Sequence, residues 1–323
     1  MQYTILGRTG VTVSRLCFGT MSFGGDADEA ESARMFNRCR EAGVNFFDCA
    51  NIYQRGVSEQ ILGRLMKDCR DDLVVTSKVF GSMGDDPNTG GLSRRNILLA
   101  CEASLKRLGT DRLDVYFCHM FDPKTPIEET LAAMDDLVRQ GKVLYPAISN
   151  WSAWQIEKAL GIAALRGLTP PYVLQPMYNL AKRVAEVEIL PMAQAEGLAV
   201  TPYSPLGGGL LTGKYSSATT DEKGRISTNK MYAARYGEAV HLEIAEAFTA
   251  YAQEHGVHPA TLAVAWVKAH PAVTAPIIGA RNVDQLEASL AAGDYEMTAD
   301  QRAEIGSLTP PVPVATDRTE GRG

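Results

Sequence analysis

Three apolar runs in the first 119 residues each end on a side chain that can handle a proton. "NFFDCANIYQ" (45–54) stops on Asp48 and places Tyr53 five residues later. "LVVTSK" (73–78) stops on Lys78, and "LDVYFCH" (113–119) stops on His119. A tyrosine hydroxyl, with an ordinary pKa of about 10, is a poor proton donor at neutral pH. A neighbouring ammonium favours the phenolate, and a carboxylate keeps that ammonium charged and oriented. The phenol then becomes a usable general acid or base. A neutral histidine can meanwhile hydrogen-bond a substrate carbonyl oxygen. Together they suit carbonyl reduction, provided something supplies a hydride.

Each residue also has an ordinary role. An aspartate caps turns, a lysine snorkels to water, and tyrosine or histidine sits half in a core. Only a fold that gathers strand ends makes the set a site, and the pattern of elements predicts one. Near-continuous apolar runs at 15–19, 44–48, 73–78, 113–119, 143–149, 172–175, 198–203 and 274–279 read as parallel strands covered on both faces. Amphipathic segments separate them. "TPIEETLAAMDDLVRQG" shows Thr125 as cap, Pro126 at the first helical position, Glu128 as box partner and Gly141 as stop. "SAWQIEKAL" repeats the box with Ser152 and Gln155, and "DEAESARMFNRCREAG" closes on Gly43. The fold class expected is α/β, a (β/α)8 TIM barrel formed as one domain over 1–323. Additions are a hairpin at 3–13 covering the barrel bottom, a long polar loop at 207–238 with an extra helix at 239–255, an extra C-terminal helix, and a Pro-rich tail at 309–323.

In such a barrel the C-terminal strand ends share one face. Those ends are Asp48, Lys78, His119, Ser149-Asn150, Gln175, Tyr203 and Gly279. Composition narrows the function classes. A formal charge of −6 gives no electrostatic footprint for nucleic acid. No apolar stretch approaches the roughly 20 residues that span a bilayer, and the N-terminal residues do not read as a signal peptide. The six cysteines (17, 39, 49, 69, 101 and 118) lack metal-finger spacing and read as reduced core thiols of a cytoplasmic protein. No metal is expected.

From "LGRTGVTVSRLCFGTMSFG" to "PIIGARNVDQLEASL" the chain resembles the aldo-keto reductase family, with ordered motifs at every strand. The resemblance implies a catalytic tetrad of Asp48, Tyr53, Lys78 and His119. It implies NADP(H) as cofactor, and no strand here is followed by the G-x-G-x-x-G of a dinucleotide fold. By the same resemblance Ser149, Asn150 and Gln175 bind the carboxamide, Tyr203 stacks on the nicotinamide, and Asp48 also lies at the cofactor. Thr20 and Met21 approach the cofactor after the first strand. Ser204, Leu206, Gly208 and Lys214 contact the pyrophosphate. Gly279, Arg281, Gln285 and Ser289 lie at the adenosine end, with Arg281 on the 2′-phosphate. Cys49, Ala147 and Ala288-Ser289 depart from the family pattern.

The expected partner is a small-molecule carbonyl or alcohol, held in a pocket shaped by Phe23, Tyr53, residues 80–91, Phe121, Trp151 and residues 216–236. The other reading is a regulatory subunit that keeps NADP(H) as a sensor with little turnover. A barrel aldolase using Lys78 as a Schiff-base nucleophile would need a depressed lysine pKa, which Asp48 opposes. Neither the substrate nor the oligomeric state is written in the sequence.

Overall fold

The computed structural model describes residues 1–215 and 224–316. An antiparallel hairpin, β1 (Tyr3–Ile5) and β2 (Thr12–Ser14), comes first. Eight parallel strands follow: β3 (Cys17–Gly19), β4 (Phe46–Asp48), β5 (Val74–Val79), β6 (Leu113–Cys118), β7 (Val143–Ser149), β8 (Val173–Gln175), β9 (Ala199–Val200) and β10 (Ile277–Ile278). They pair in the order β10-β3-β4-β5-β6-β7-β8-β9. The edges also meet: Ile277 N donates to Pro202 O at 2.9 Å and Thr274 N to Val200 O at 2.9 Å. The sheet is thereby closed into the expected (β/α)8 barrel.

Helices α1 (Glu29–Glu41), α2 (Val57–Leu65), α3 (Arg94–Leu108), α4 (Ile127–Arg139), α5 (Ala153–Arg166) and α6 (Ile189–Ala195) fill the first six connections. The long connection after β9 carries α7 (Arg225–Thr228), α8 (Lys230–Tyr236) and the extra helix α9 (Ala239–Glu254), then α10 (Pro259–Lys268). After β10 come α11 (Val283–Leu290) and the extra C-terminal α12 (Ala299–Ser307).

Side chains alternate across each strand, which splits the core in two. Cys17, Phe46, Val74, Val115, Phe117, Ala147, Val173 and Ala199 fill the barrel, with Leu6 and Val13 of the hairpin closing its lower end. The outward set packs under the helices in one large cluster that includes Phe18, Phe47, Cys49, Val75 and Tyr116. All six cysteines are free thiols, five of them buried.

Local signals set most helix ends. Asp28 accepts from Glu31 N, Ser93 from Asn96 N, and Gln155 Oε1 from Ser152 N at 2.9 Å. The start of α4 differs from expectation. Pro126 itself is the N-cap, and the Thr125 hydroxyl donates instead to Asp122 at 2.8 Å. Asp122 is buried and also accepts from Leu92 N and Lys124 N, so it ties the loop after β6 to the loop after β5. The Thr125 hydroxyl turns back to a carboxylate three residues upstream, and the helix starts one residue later than expected.

The segment expected as a polar loop at 207–238 is more ordered than its composition suggests. Leu210, Tyr215, Tyr232 and Tyr236 bury a small core of their own there, packed against Ala245 of α9. Part of that loop (216–223) and the tail end (317–323) lie outside the described residues.

Candidate active site

The upper barrel interior changes from apolar to polar. Asp48 and Lys78, at the ends of β4 and β5, are 2% and 0% exposed. Lys78 Nζ donates to Asp48 Oδ2 at 2.6 Å, to Cys49 O at 2.7 Å and to Tyr53 Oη at 3.2 Å. Tyr53 opens a short 3-10 turn leading into α2, and the ring of His119 meets its ring edge-on at 6.2 Å. All four residues expected to share the chemistry are therefore within one cluster.

A buried lysine normally loses its proton, but the Asp48 carboxylate and the Tyr53 oxygen outweigh the burial and hold Lys78 above the usual lysine range. A Schiff-base role has no support in that environment. Burial, with Lys78 adding to it, pushes His119 down to about 3, so its imidazole is neutral. The phenol departs from expectation. Burial outweighs the ammonium and pushes Tyr53 up to about 12, with Asp48 adding to the rise. Tyr53 is thus a protonated donor throughout the physiological range, with a cation placed to receive the charge left behind.

Asp48 is fully engaged. Its Oδ1 accepts from Thr76 Oγ1 at 2.7 Å and from Gln175 Nε2 at 2.9 Å. Ser149 Oγ donates to Gln175 O at 2.9 Å, and Asn150 Nδ2 to His119 O and to Ser149 Oγ, both at 2.9 Å. Tyr203 Oη donates to Asn150 Oδ1 at 2.7 Å. Among the described residues, the non-glycine residues with left-handed backbone are Gln54, Arg55, Asn150 and Ser204, and all follow strand ends on this face. Such strain collects where a site holds its side chains in set directions.

A cavity of about 850 Å³ opens over these groups. Tyr53, His119, Ser149, Asn150, Gln175 and Tyr203 line one part, with Met21, Ile52 and Met120 beside them. It runs past Ser204, Leu206, Gly208 and Lys214 to Gly279, Arg281 and Gln285. Gly208 has a φ of +68°, and a Cβ there would lie 2.4 Å from Tyr232, so only glycine fits. Helices α7 and α8 add Arg225, Met231, Tyr232 and Arg235, within the 216–236 stretch expected to shape the pocket.

Several expected residues are placed otherwise. Thr20 is fully buried and bonds Asp48 O and Ser58 Oγ, so its side chain turns away from the cavity. Ser289 is fully buried with an unpartnered Oγ, and Ala288 lines the cavity in its stead. Phe23 is buried in the outer core, against the Phe18 ring at 5.8 Å. Trp151 is 4% exposed and packs its ring edge-on against Phe121 at 5.0 Å, and neither of them, nor any residue of 80–91, lines the cavity. Arg281 does line the cavity, but its Nε is 3.2 Å from Asp26 Oδ2, which also pairs with Arg225. Asn282 caps α11 by accepting from Gln285 N at 2.9 Å, while the Gln285 side chain accepts from Arg281 N.

Residues 15–309 match the sequence profile of the Aldo/keto reductase family. The chain belongs to that family. It is 40% identical over 301 residues to a probable voltage-gated potassium channel subunit beta of Oryza sativa subsp. japonica, covering 91% of this chain and 92% of the relative. It is 38% identical over 322 residues to the uncharacterized oxidoreductase YrpG of Bacillus subtilis, covering 96% of each. A norsolorinic acid reductase of Aspergillus flavus is 34% identical over 317 residues, covering 93% of this chain and 79% of the relative. Among the described residues, no helix is long and apolar enough to cross a membrane, and no cluster of His, Cys, Asp and Glu could hold a metal ion.

Proposed function

We propose that the protein reduces an aldehyde or ketone to the alcohol, reversibly, with NADPH as hydride donor and Tyr53 as proton donor. The observation that carries this reading is the Lys78 ammonium joined to both Asp48 and Tyr53 at the cavity floor. NADPH, when bound, supplies hydride to the carbonyl carbon. His119, neutral at every working pH, hydrogen-bonds the carbonyl oxygen and sets it against the phenol. As the carbon–oxygen π pair moves onto oxygen, that oxygen takes the Tyr53 proton. Lys78 stabilises the phenolate left behind, and solvent returns the proton. Alcohol oxidation runs through the same groups in reverse.

The lining fits a dinucleotide. Gln175 spends Nε2 on Asp48, which leaves Oε1 to accept from a carboxamide N–H. Ser149 and Asn150 stand beside it, and Tyr203 offers a ring face to the nicotinamide. Ser204, Leu206, Gly208 and Lys214 would hold the pyrophosphate, the glycine because it lets backbone approach an anion. Met21 covers the near side, and Gly279, Arg281 and Gln285 take the adenosine end. Thr20 and Ser289 would act only from behind this surface.

The plant relatives named as channel subunits motivate a second reading, a cofactor-holding subunit with little turnover. Purified protein assayed with NADPH and simple aldehydes separates the two. Tyr53→Phe should lower kcat by about 10²–10⁴-fold while the NADPH dissociation constant hardly moves. Half the wild-type rate in that variant would overturn the reading.

A further inference from the structure

Thr76 is 1% exposed and points into the barrel, on the same face of β5 as Val74 and Lys78. Adjoining positions inside the barrel carry Phe46, Val115, Phe117 and Ala147. A hydroxyl among them needs a partner, and it has one. Thr76 is the register partner of Asp48 across β4 and β5, and its Oγ1 donates to Asp48 Oδ1 at 2.7 Å.

A buried carboxylate is fixed by the donors it accepts from. Asp48 has Lys78 on one oxygen and Thr76 with Gln175 on the other. Lys78 in turn divides its protons among contacts of 2.6, 2.7 and 3.2 Å, and the longest is the one to Tyr53. Without the threonine hydroxyl, Oδ1 keeps one donor, and the carboxylate turns toward the ammonium. Drawing Nζ toward Asp48 lengthens the bond that is already weakest. That bond is the one the phenol depends on.

We infer that Thr76 is a positioning residue for proton transfer, acting through Asp48 to keep Lys78 within reach of Tyr53. The inference rests on the carbonyl-reductase reading above. Gln175 gives the same anchor a second consequence: the amide beside the nicotinamide seat and the proton donor share one carboxylate.

The test compares Thr76→Val, Thr76→Ala and Thr76→Ser, with Tyr53→Phe alongside. Valine keeps the shape and loses the hydroxyl. It should lower kcat roughly ten-fold, a barrier change of about 1.4 kcal/mol. The substrate KM, the NADPH affinity from fluorescence titration and the Tm should stay near wild type. Alanine should show the same kcat loss, which keeps the test valid if valine packs badly, and serine should restore turnover. In an Asp48→Asn background, Thr76→Val should cost nothing further, because the residue acts through that charge. Wild-type kcat in Thr76→Val, an equal loss in serine and valine, or a full additional loss without Asp48 would overturn the inference. If Tyr53→Phe is inactive while Thr76→Val is unimpaired, only this inference fails. If Tyr53→Phe is active, the underlying reading fails with it.

Discussion

The Lys78 ammonium lies 3.2 Å from the Tyr53 hydroxyl, at a position with no solvent exposure of its own. A cation so buried survives only because Asp48 neutralises it at 2.6 Å. The pair therefore serves stability and chemistry at once, and the two can be separated. Lys78→Met should leave Asp48 charged and unpaired, costing about 3–5 kcal/mol of stability as well as turnover. Adding Asp48→Asn should recover most of the stability and none of the activity. Denaturant unfolding and a NADPH-linked assay on the three variants check this, and a stable Lys78→Met single variant would contradict it.

Arg281 carries the proposed preference for NADPH over NADH. Its planar donors suit a 2′-phosphate, but Asp26 at 3.2 Å already occupies part of the guanidinium. The phosphate must displace that carboxylate, so the gain falls at the low end for a charge-assisted bond. Arg281→Ala should weaken NADPH about ten-fold, equivalent to roughly 1.4 kcal/mol, and leave NADH unchanged. Asp26→Asn should tighten NADPH. Fluorescence titrations of both cofactors decide it, and equal weakening of NADPH and NADH in Arg281→Ala would refute the assignment.

Cys49 should be a bystander although it follows Asp48 directly. Its thiol faces the outer core 3.3 Å from Ser58 Oγ, and burial, with Glu59 adding to it, pushes the pKa up to about 12. Cys49→Ser should keep near-normal kcat, and no zinc should copurify. Inactivation by this one change, or stoichiometric metal in the purified protein, would reverse that expectation.

Acid should destabilise the fold through two half-buried histidines. Burial, assisted by Lys78, holds His119 at about 3, and burial, assisted by Arg302, holds His270 at about 4. An unfolded histidine titrates near about 6.5, so between that value and the folded one the unfolded chain binds more protons. Stability is therefore complete above the unfolded pKa and falls as pH drops toward the folded one. Each histidine contributes a slope of at most about 1.4 kcal/mol per pH unit. Tm measured from pH 7 to 4.5 should fall, and His270→Asn should flatten the curve. An unchanged slope in that variant would show that His270 is not a source.

Several parts of this protein were legible in its residues because short-range rules fix them. The runs ending at Asp48, Lys78 and His119 are strands because β-branched and apolar residues covered on both faces leave no other arrangement. Ser152 three residues before Gln155 and Asp28 three before Glu31 set helix starts from within one turn. The polar strand ends were recognisable as a set because a barrel delivers them all to one face.

Tertiary structure decided the rest, since it depends on distances between residues remote in the chain. Whether Lys78 lowers the phenol or burial raises it is a contest between a 3.2 Å contact and the loss of solvent, and no spacing encodes that balance. Thr76 reads as one more β-branched strand residue until the register sets it opposite Asp48. Thr20 and Ser289 had sequence neighbours that reach the cavity, but their own side chains turn into the core. Thr125 met the local rule for a cap, but its hydroxyl donates to Asp122, a carboxylate held in place by Leu92 N from the loop after β5. Local propensity chose the elements, and burial with long-range hydrogen bonding chose which side chains face the chemistry.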